Sequence, residues 1–197
     1  MPRPKHNQKI REQLLNQGVS ILINQGYHGT GIKEVVDRVK VPKGSFYNYF
    51  KSKEDFGAEV IKQYAQQWVV NMDSWLNDPQ KDGLDALKQF FEQEILRHQA
   101  AKAGCLIGNL GAELGDSSEL CRQAMSESLG FIQQRFVRIL AQGQKQETVR
   151  SDLTAEELAS ILLNAYEGAL LRMQIEQSVE PVSQFAKVMV DNFLRLK

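Results

Sequence analysis

The sequence predicts an all-α protein of about nine helices, three of them short. Three observations carry this. Apolar residues recur at spacings of three and four along nearly the whole chain, the period of one helix face. No convincing run alternates apolar and polar residues between turn formers, as a half-buried strand would. Helix-start pairs, a Ser, Thr or Asp followed three residues later by an acidic residue, precede several of the apolar stretches.

Taken in order, the first helix spans about Asn7 to Gln25. It buries Ile10, Leu14, Leu15, Ile21 and Leu22 and stops at Gly26. Thr30 or Gly31 caps a short second helix bearing Ile32, Val35, Val36 and Val39. Pro42, whose fixed φ suits a helix start, opens a third from Lys43 to Phe50. Ser52 and Asp55 begin a long fourth helix to about Leu76, ended by Asn77-Asp78-Pro79. Asp82 caps a helix from Gly83 to about Ala101, with Leu84, Leu87, Phe90, Phe91 and Ile95 near one face. After the break Ala103-Gly104, CLIGNLGAEL reads as a short helix. Asp116 and Glu119 cap the next long one, which carries Leu120, Leu129, Ile132, Phe136 and Ile139. Thr154 and Glu157 form a T-x-x-E box ahead of Leu158, Ile161, Leu162, Ala165 and Leu170. Pro181 starts the last helix, with Phe185, Val188, Met189 and Phe193.

Composition narrows the class. In 197 residues, 42% are hydrophobic and 24% charged, typical of a globular chain with a real core. Apolar runs are far shorter than the roughly 18 residues of a membrane span. The N-terminus is basic, then polar, with no apolar stretch to act as a signal peptide. Two cysteines, Cys105 and Cys121, are too few for a disulfide framework, and no His or Cys pair has zinc spacing. A cytoplasmic protein without metal or cofactor is expected. An enzyme is not: there is no glycine-rich phosphate loop, no G-x-S-x-G and no H-E-x-x-H, and His6, His28 and His98 are scattered.

The formal net charge of zero conceals an asymmetry. Residues 1–53 hold ten Lys/Arg against three Asp/Glu, while residues 54–197 hold fourteen against twenty-one. A basic end of this kind suits a polyanion. The segment TGIKEVVDRVKVPKGSFYNYFKSKEDF, Thr30 to Phe56, gives that suggestion a form. Two short helices joined by Lys40-Val41-Pro42 make a helix-turn-helix. The second places Lys43, Gly44, Ser45, Tyr47, Asn48 and Tyr49 around a single apolar pair, Phe46 and Phe50, four apart. The phenylalanines anchor it. The rest are groups that contact phosphates and base edges, and Gly44 lets a backbone come close. A recognition helix in the major groove follows.

GYHGTGIKEVVDRVKVPKGSFYNYFKSKEDF resembles the N-terminal DNA-binding domain of TetR/AcrR-family transcriptional regulators. The match covers about residues 7–56: a helix ending in Gly-aromatic, a Thr-initiated second helix, a KGxxYxYF-like recognition helix and an SK-D/E start to the fourth. Pro42 departs from the Ser or Thr cap of many members. The resemblance implies a helix-turn-helix domain over 1–53 and an effector-binding and dimerisation domain over 54–197. It implies a homodimer on a palindromic operator of double-stranded DNA, most simply a repressor released by a small molecule or electrophile. Carried over by position, Thr30, Lys43, Gly44, Ser45, Tyr47, Asn48, Tyr49 and Lys53 lie on the DNA. Lys43 and Asn48 are the candidates for base edges, and Ser45, Tyr47, Tyr49, Thr30 and Lys53 for phosphates. The basic lead, Arg3, Lys5, Lys9 and Arg11, is either a further backbone or minor-groove contact or a disordered tail.

The last two helices are the implied dimer interface. Small Ala165, Gly168 and Ala169 allow close helix approach, and the final helix is more apolar than one face needs. The middle helices are expected to enclose an effector site. Tyr64, Trp68, Phe90, Phe136, Tyr166 and Met173 are its named candidates, with Met72 and Phe91 beside them, each equally readable as plain core. AGCLIGNLGAEL is similar to the GCL-x-x-N-x-x-x-E stretch of a sub-group that includes NemR-type repressors, where the matching cysteine is a sensor thiol. Cys105, near a helix N-terminus that favours thiolate, therefore has two readings, sensor and buried structural cysteine. Asn109 is a ligand-contact candidate, Glu113 a structural polar group, and Cys121, in a polar first turn, has no assigned role. Alternatives to the induced repressor are a global regulator or activator without an inducer, and a helical interaction module that does not bind DNA.

Overall fold

A computed structural model describes residues 5–76, 81–100 and 104–196. The end signal Asn77-Asp78-Pro79, the break at Ala103 and the basic Arg3 lie outside the described residues. The described chain is helical: α1 (Lys5–Gln25), α2 (Ile32–Val39), a 3-10 helix (Lys43–Asn48), α3 (Lys53–Leu76), α4 (Gly83–Ala100), α5 (Leu106–Leu114), α6 (Glu119–Lys145), α7 (Ala155–Glu176) and α8 (Glu180–Val188). A π-helical turn, Met189–Phe193, continues α8. None of the described helices is long and apolar enough to cross a membrane.

Backbone contacts divide the chain into two compact units. One joins Met1–Gln66 to Leu106–Leu129, the other Gln67–Cys105 to Gly130–Lys197. Two segments of the latter half of the chain, α5 and the start of α6, thus fold with the helix-turn-helix.

In the first unit α1 buries Leu14, Leu15, Ile21 and Leu22 and ends as expected at Gly26, whose φ of +71° an L side chain rarely adopts. α2 is capped by the Gly31 backbone alone, with no side-chain bond, and closes on Lys40 at φ 59°. The recognition helix differs from its expected form. It is a six-residue 3-10 helix and not an α-helix reaching Phe50. The reason is local: Ser45 N–H donates to Pro42 O (2.9 Å) and Tyr49 N–H to Phe46 O (2.9 Å), both three residues back. Phe46 and Phe50 are buried as predicted and meet Phe56 of α3 in one cluster, ring centroids 5.0–5.4 Å apart.

The caps of α3, α4 and α7 form at the predicted residues. Ser52 Oγ accepts from Asp55 N–H (3.0 Å), Asp82 Oδ1 from Leu84 and Asp85 (2.7 and 2.9 Å), and Thr154 and Glu157 make a full capping box. α6 is capped by Ser118, whose Oγ accepts from Cys121 N–H (3.2 Å), where Asp116 was expected. The same hydroxyl donates to Glu54 of α3, so tertiary contact selects the serine.

The second unit packs α4, α7, α8 and the adjoining parts of α3 and α6 around an aromatic core. Trp68, Phe90, Phe91, Phe136, Tyr166 and Phe185 follow one another with centroids 4.9–6.2 Å apart. Such edge-to-face pairs add about 0.5–1.5 kcal/mol each beyond area burial.

Candidate nucleic-acid interface and effector domain

The 3-10 helix is two-faced. Phe46 and Phe50 point inward, fixed by Phe56, and this turns the intervening residues out. Lys43, Gly44, Asn48 and Tyr47 are exposed, Tyr47 by 58%, while Ser45 and Tyr49 are half-buried. A cation, an amide and a phenol thus share one short element beside a glycine, with a second phenol, Tyr49, at its end. A Cβ built on Gly44 meets nothing within 4 Å. Nothing in the chain itself demands glycine there.

The remaining candidates are engaged internally. Ser45 Oγ donates to Pro42 O (2.6 Å). Thr30 is buried, and its hydroxyl donates to Gly26 O (2.7 Å), so in this structure it ties the α1–α2 turn and offers no exposed hydroxyl. Lys53 Nζ lies 4.3 Å above the Tyr27 ring, a cation–π contact. Partial burial pushes the Lys53 ammonium below its usual range, and the Glu113 charge pulls the other way. Burial first, then Cys121 and Glu54, pushes the Tyr27 phenol up. Arg11 of the basic lead pairs with Glu59 and lies 5.5 Å from the Phe50 ring centroid.

Of the effector candidates, Trp68, Phe90, Phe136, Tyr166, Met173 and Cys105 belong to the second unit, Tyr64 and Asn109 to the first. Trp68, Phe90, Phe136 and Tyr166 share the aromatic core, and Met173 is fully buried. A buried acid lies beside them. Glu94 accepts from Tyr166 Oη (2.9 Å) and from Arg97 Nε (3.1 Å), with His98 Nε2 3.7 Å away. Sequence reasoning did not single out Glu94 or His98. The signal was present, because 84, 87, 91, 94 and 98 continue a single helical stripe.

Cys105 precedes α5, 6% exposed, and faces Glu167 of α7. Burial pushes the Glu167 carboxyl up, while the Cys105 hydrogen bond pulls it down. A Cβ on neighbouring Gly104 would meet the Gln174 side chain at 2.3 Å. An acid, Glu167, thus stands within hydrogen-bonding reach of the thiol. Cys121 is fully buried, its thiol donating to Glu54 O (3.7 Å), with its pKa pushed up by burial. Among the described residues no cluster of three or more His, Cys, Asp or Glu could hold a metal ion.

Described residues that are mainly helical, with a short helix near the start that turns polar groups outward, make the architecture of a DNA-binding regulator. Residues 14–60 match the family described as bacterial regulatory proteins, tetR family, and residues 83–189 the tetracyclin repressor-like C-terminal domain. The HTH-type transcriptional repressor DhaR of Mycobacterium sp. (strain GP1) is 33% identical over 94% of this chain and 92% of its own length. The transcriptional regulator AcuR of Cereibacter sphaeroides is 31% identical over 93% of this chain and 84% of its own. The crystal structure of the reduced form of Escherichia coli NemR superposes with a TM-score of 0.86, at 26% identity, over 95% of this chain and 97% of that one. The chain belongs to the TetR family of transcriptional regulators. It is a regulator and not an enzyme.

Proposed function

We propose that this protein is a cytoplasmic repressor that binds a palindromic operator as a homodimer and leaves it when a small molecule occupies the second unit. Residues 1–53 carry the DNA contact and 54–197 the dimer and effector functions. The observation that carries the reading is the two-faced 3-10 helix. Its phenylalanines are inside, its Lys43, Tyr47 and Asn48 outside, and Gly44 stands open where a groove wall approaches. Lys43 and Asn48 are the base-edge readers, and Tyr47, Tyr49, Ser45 and Lys53 the backbone contacts. Thr30 acts through the turn it ties. Two such helices related by a twofold axis fit half-sites roughly 34–36 Å apart, or a multiple.

The dimer reading rests on α7 and α8. Ala165, Gly168, Ala169, Arg172, Pro181, Gln184, Phe185 and Val188 line an open groove of about 420 Å³. Ile161, Leu171, Ile175 and Val188 stand exposed on the same helices. Apolar exposure beside this groove supports an interface there.

The effector reading favours a non-covalent ligand among Trp68, Phe90, Phe136, Tyr166 and Met173 of the second unit. A sensor thiol comes second, because Cys105 is buried and burial disfavours a thiolate, as does the Glu167 carboxyl beside it once ionised. In either case the effector binds the operator-bound form more weakly by the factor that it weakens operator binding. Selection of bound sequences from a random duplex pool, with and without an alkylating reagent, tests both parts. A palindrome enriched by the wild-type protein, with affinity falling steeply with salt, is expected. No enriched sequence at low salt would sink the repressor reading. Release by the reagent from wild type but not from Cys105→Ser would restore the thiol sensor.

A further inference from the structure

We propose that Glu113 is a positioning residue for operator binding: its carboxylate holds the α1–α2 turn and, through Tyr27, sets the place of Lys53. The proposal rests on the DNA-binding reading above.

The turn creates the need. After α1 ends, Gly26 N–H still reaches Leu22 O (3.0 Å), but the next two amides have left the helix. Glu113 of α5 takes both. Its Oε2 accepts from Tyr27 N–H and His28 N–H, each at 3.0 Å, and its Oε1 accepts from Tyr27 N–H at 3.2 Å. The seat requires glycine at 26 twice over, for the positive φ and because a Cβ would lie 2.2 Å from Glu113 Oε1. Three residues on, Thr30 N–H donates to Tyr27 O (3.2 Å) and its hydroxyl to Gly26 O. One carboxylate therefore fixes the entry to α2 and the ring on which the Lys53 ammonium rests.

The electrostatics argue that this is more than a cap. Glu113 occupies the last turn of α5 and also faces the C-terminal end of α1. Both are negative helix ends, where a cation is the favoured residue. The acid stands against two dipoles, and one cation that offsets it is Lys53, whose ammonium feels the Glu113 charge. Removing the carboxylate frees two amides and the lysine together. The chain enters α5 directly from the second unit at Cys105–Leu106, so this latch sits on the first helix that follows.

The test uses the full chain and the operator selected from the random pool. Affinity is measured for wild type, Glu113→Ala, Glu113→Gln, Lys53→Ala and the Glu113→Ala/Lys53→Ala double variant. Thermal melting and the amide resonances of Tyr27 and His28 are recorded alongside. Glu113→Ala is expected to weaken operator binding about tenfold, the worth of one charge-assisted hydrogen bond. Glu113→Gln, which keeps one acceptor oxygen, should recover part of the loss. The Glu113→Ala loss should shrink when Lys53 is already absent, since the two act in series. Equal affinity of wild type and Glu113→Ala overturns the proposal, as does full additivity with Lys53→Ala, which leaves Glu113 a stability element. Should Glu113→Ala fail to fold, Glu113→Gln decides: shifted Tyr27 and His28 amides with weaker binding support the role, and unchanged affinity refutes it. A wild type that selects no duplex brings down the DNA-binding reading and this proposal together, an outcome distinct from the others.

Discussion

The two units of this molecule are ordered by different forces. In the first, an aliphatic core that includes Leu14, Leu22, Val36, Ile61 and Leu110 is joined by the Phe46–Phe50–Phe56 cluster, and polar side chains set the turns beside the candidate contacts. Glu113 holds Tyr27 and His28, Thr30 holds Gly26, and Ser118 holds Glu54. In the second, a continuous aromatic core does most of the ordering, with one buried acid, Glu94, in its side. Polar bonds fix angles and fail abruptly when a partner is lost, whereas packing tolerates exchange of similar shapes. A reader of DNA needs fixed angles.

The largest expected effect tests whether the polar turns hold the first unit without its anchor. Phe46→Ala removes a fully buried ring from the three-phenylalanine cluster and should cost about 3–5 kcal/mol. Thermal melting should show a fall of many degrees, and duplex binding should vanish with it. Retention of both would mean that the ring does not anchor the 3-10 helix, and the comparison would fail.

Gly44→Ala separates function from stability in the same unit. The added methyl meets nothing in the free protein, so melting should be unchanged or slightly raised. Against a groove wall the methyl has no room, and operator affinity should fall by about tenfold, 1.4 kcal/mol. Unchanged affinity would move the close approach elsewhere on the helix. Thr154→Ala, in the second unit, is the opposite case: it breaks the capping box of α7 and should cost about 1 kcal/mol. Its effect belongs in the melting curve, and operator affinity below the midpoint should stay at the wild-type value.

This division also explains what was legible in the sequence. The helices, the caps at Ser52, Asp82 and Thr154, and the anchoring pair Phe46–Phe50 depend on neighbours within four residues, and each reads off the chain. The shortening of the recognition helix to 3-10 was less visible, because three- and four-residue bonding differ by one acceptor near Pro42. Ser118 displaces Asp116 as a cap only because Glu54, 64 residues away, takes its hydroxyl. Glu113 was legible as a polar residue, but not its partners 85 and 86 residues away. Of the candidate site, the short two-faced helix was readable because its burial pattern is local. The effector side was not, since an aromatic residue in a stripe looks the same whether it packs on a neighbour or lines a cavity. The π-helical turn after α8 has no signal in the sequence that we can name.

The smallest effect asks how the second unit bears its acids, and Glu167 is the instructive one. Burial raises its pKa in the folded state, so the folded protein holds a proton there that the unfolded chain has already released. Stability then falls as pH rises, starting near the unfolded carboxyl value of about 4.3 and levelling off above the folded value. Glu167→Gln keeps the shape without the ionisation. The difference in melting temperature between Glu167→Gln and wild type should therefore grow as pH is raised from about 4 and reach a plateau, with the glutamine variant the more stable. Melting curves at a series of pH values isolate this one group, because the other titrations are common to both proteins. A difference that shrinks with rising pH would mean that the carboxylate is favoured where it stands. The Cys105 hydrogen bond would then outweigh burial in setting the carboxyl's ionisation.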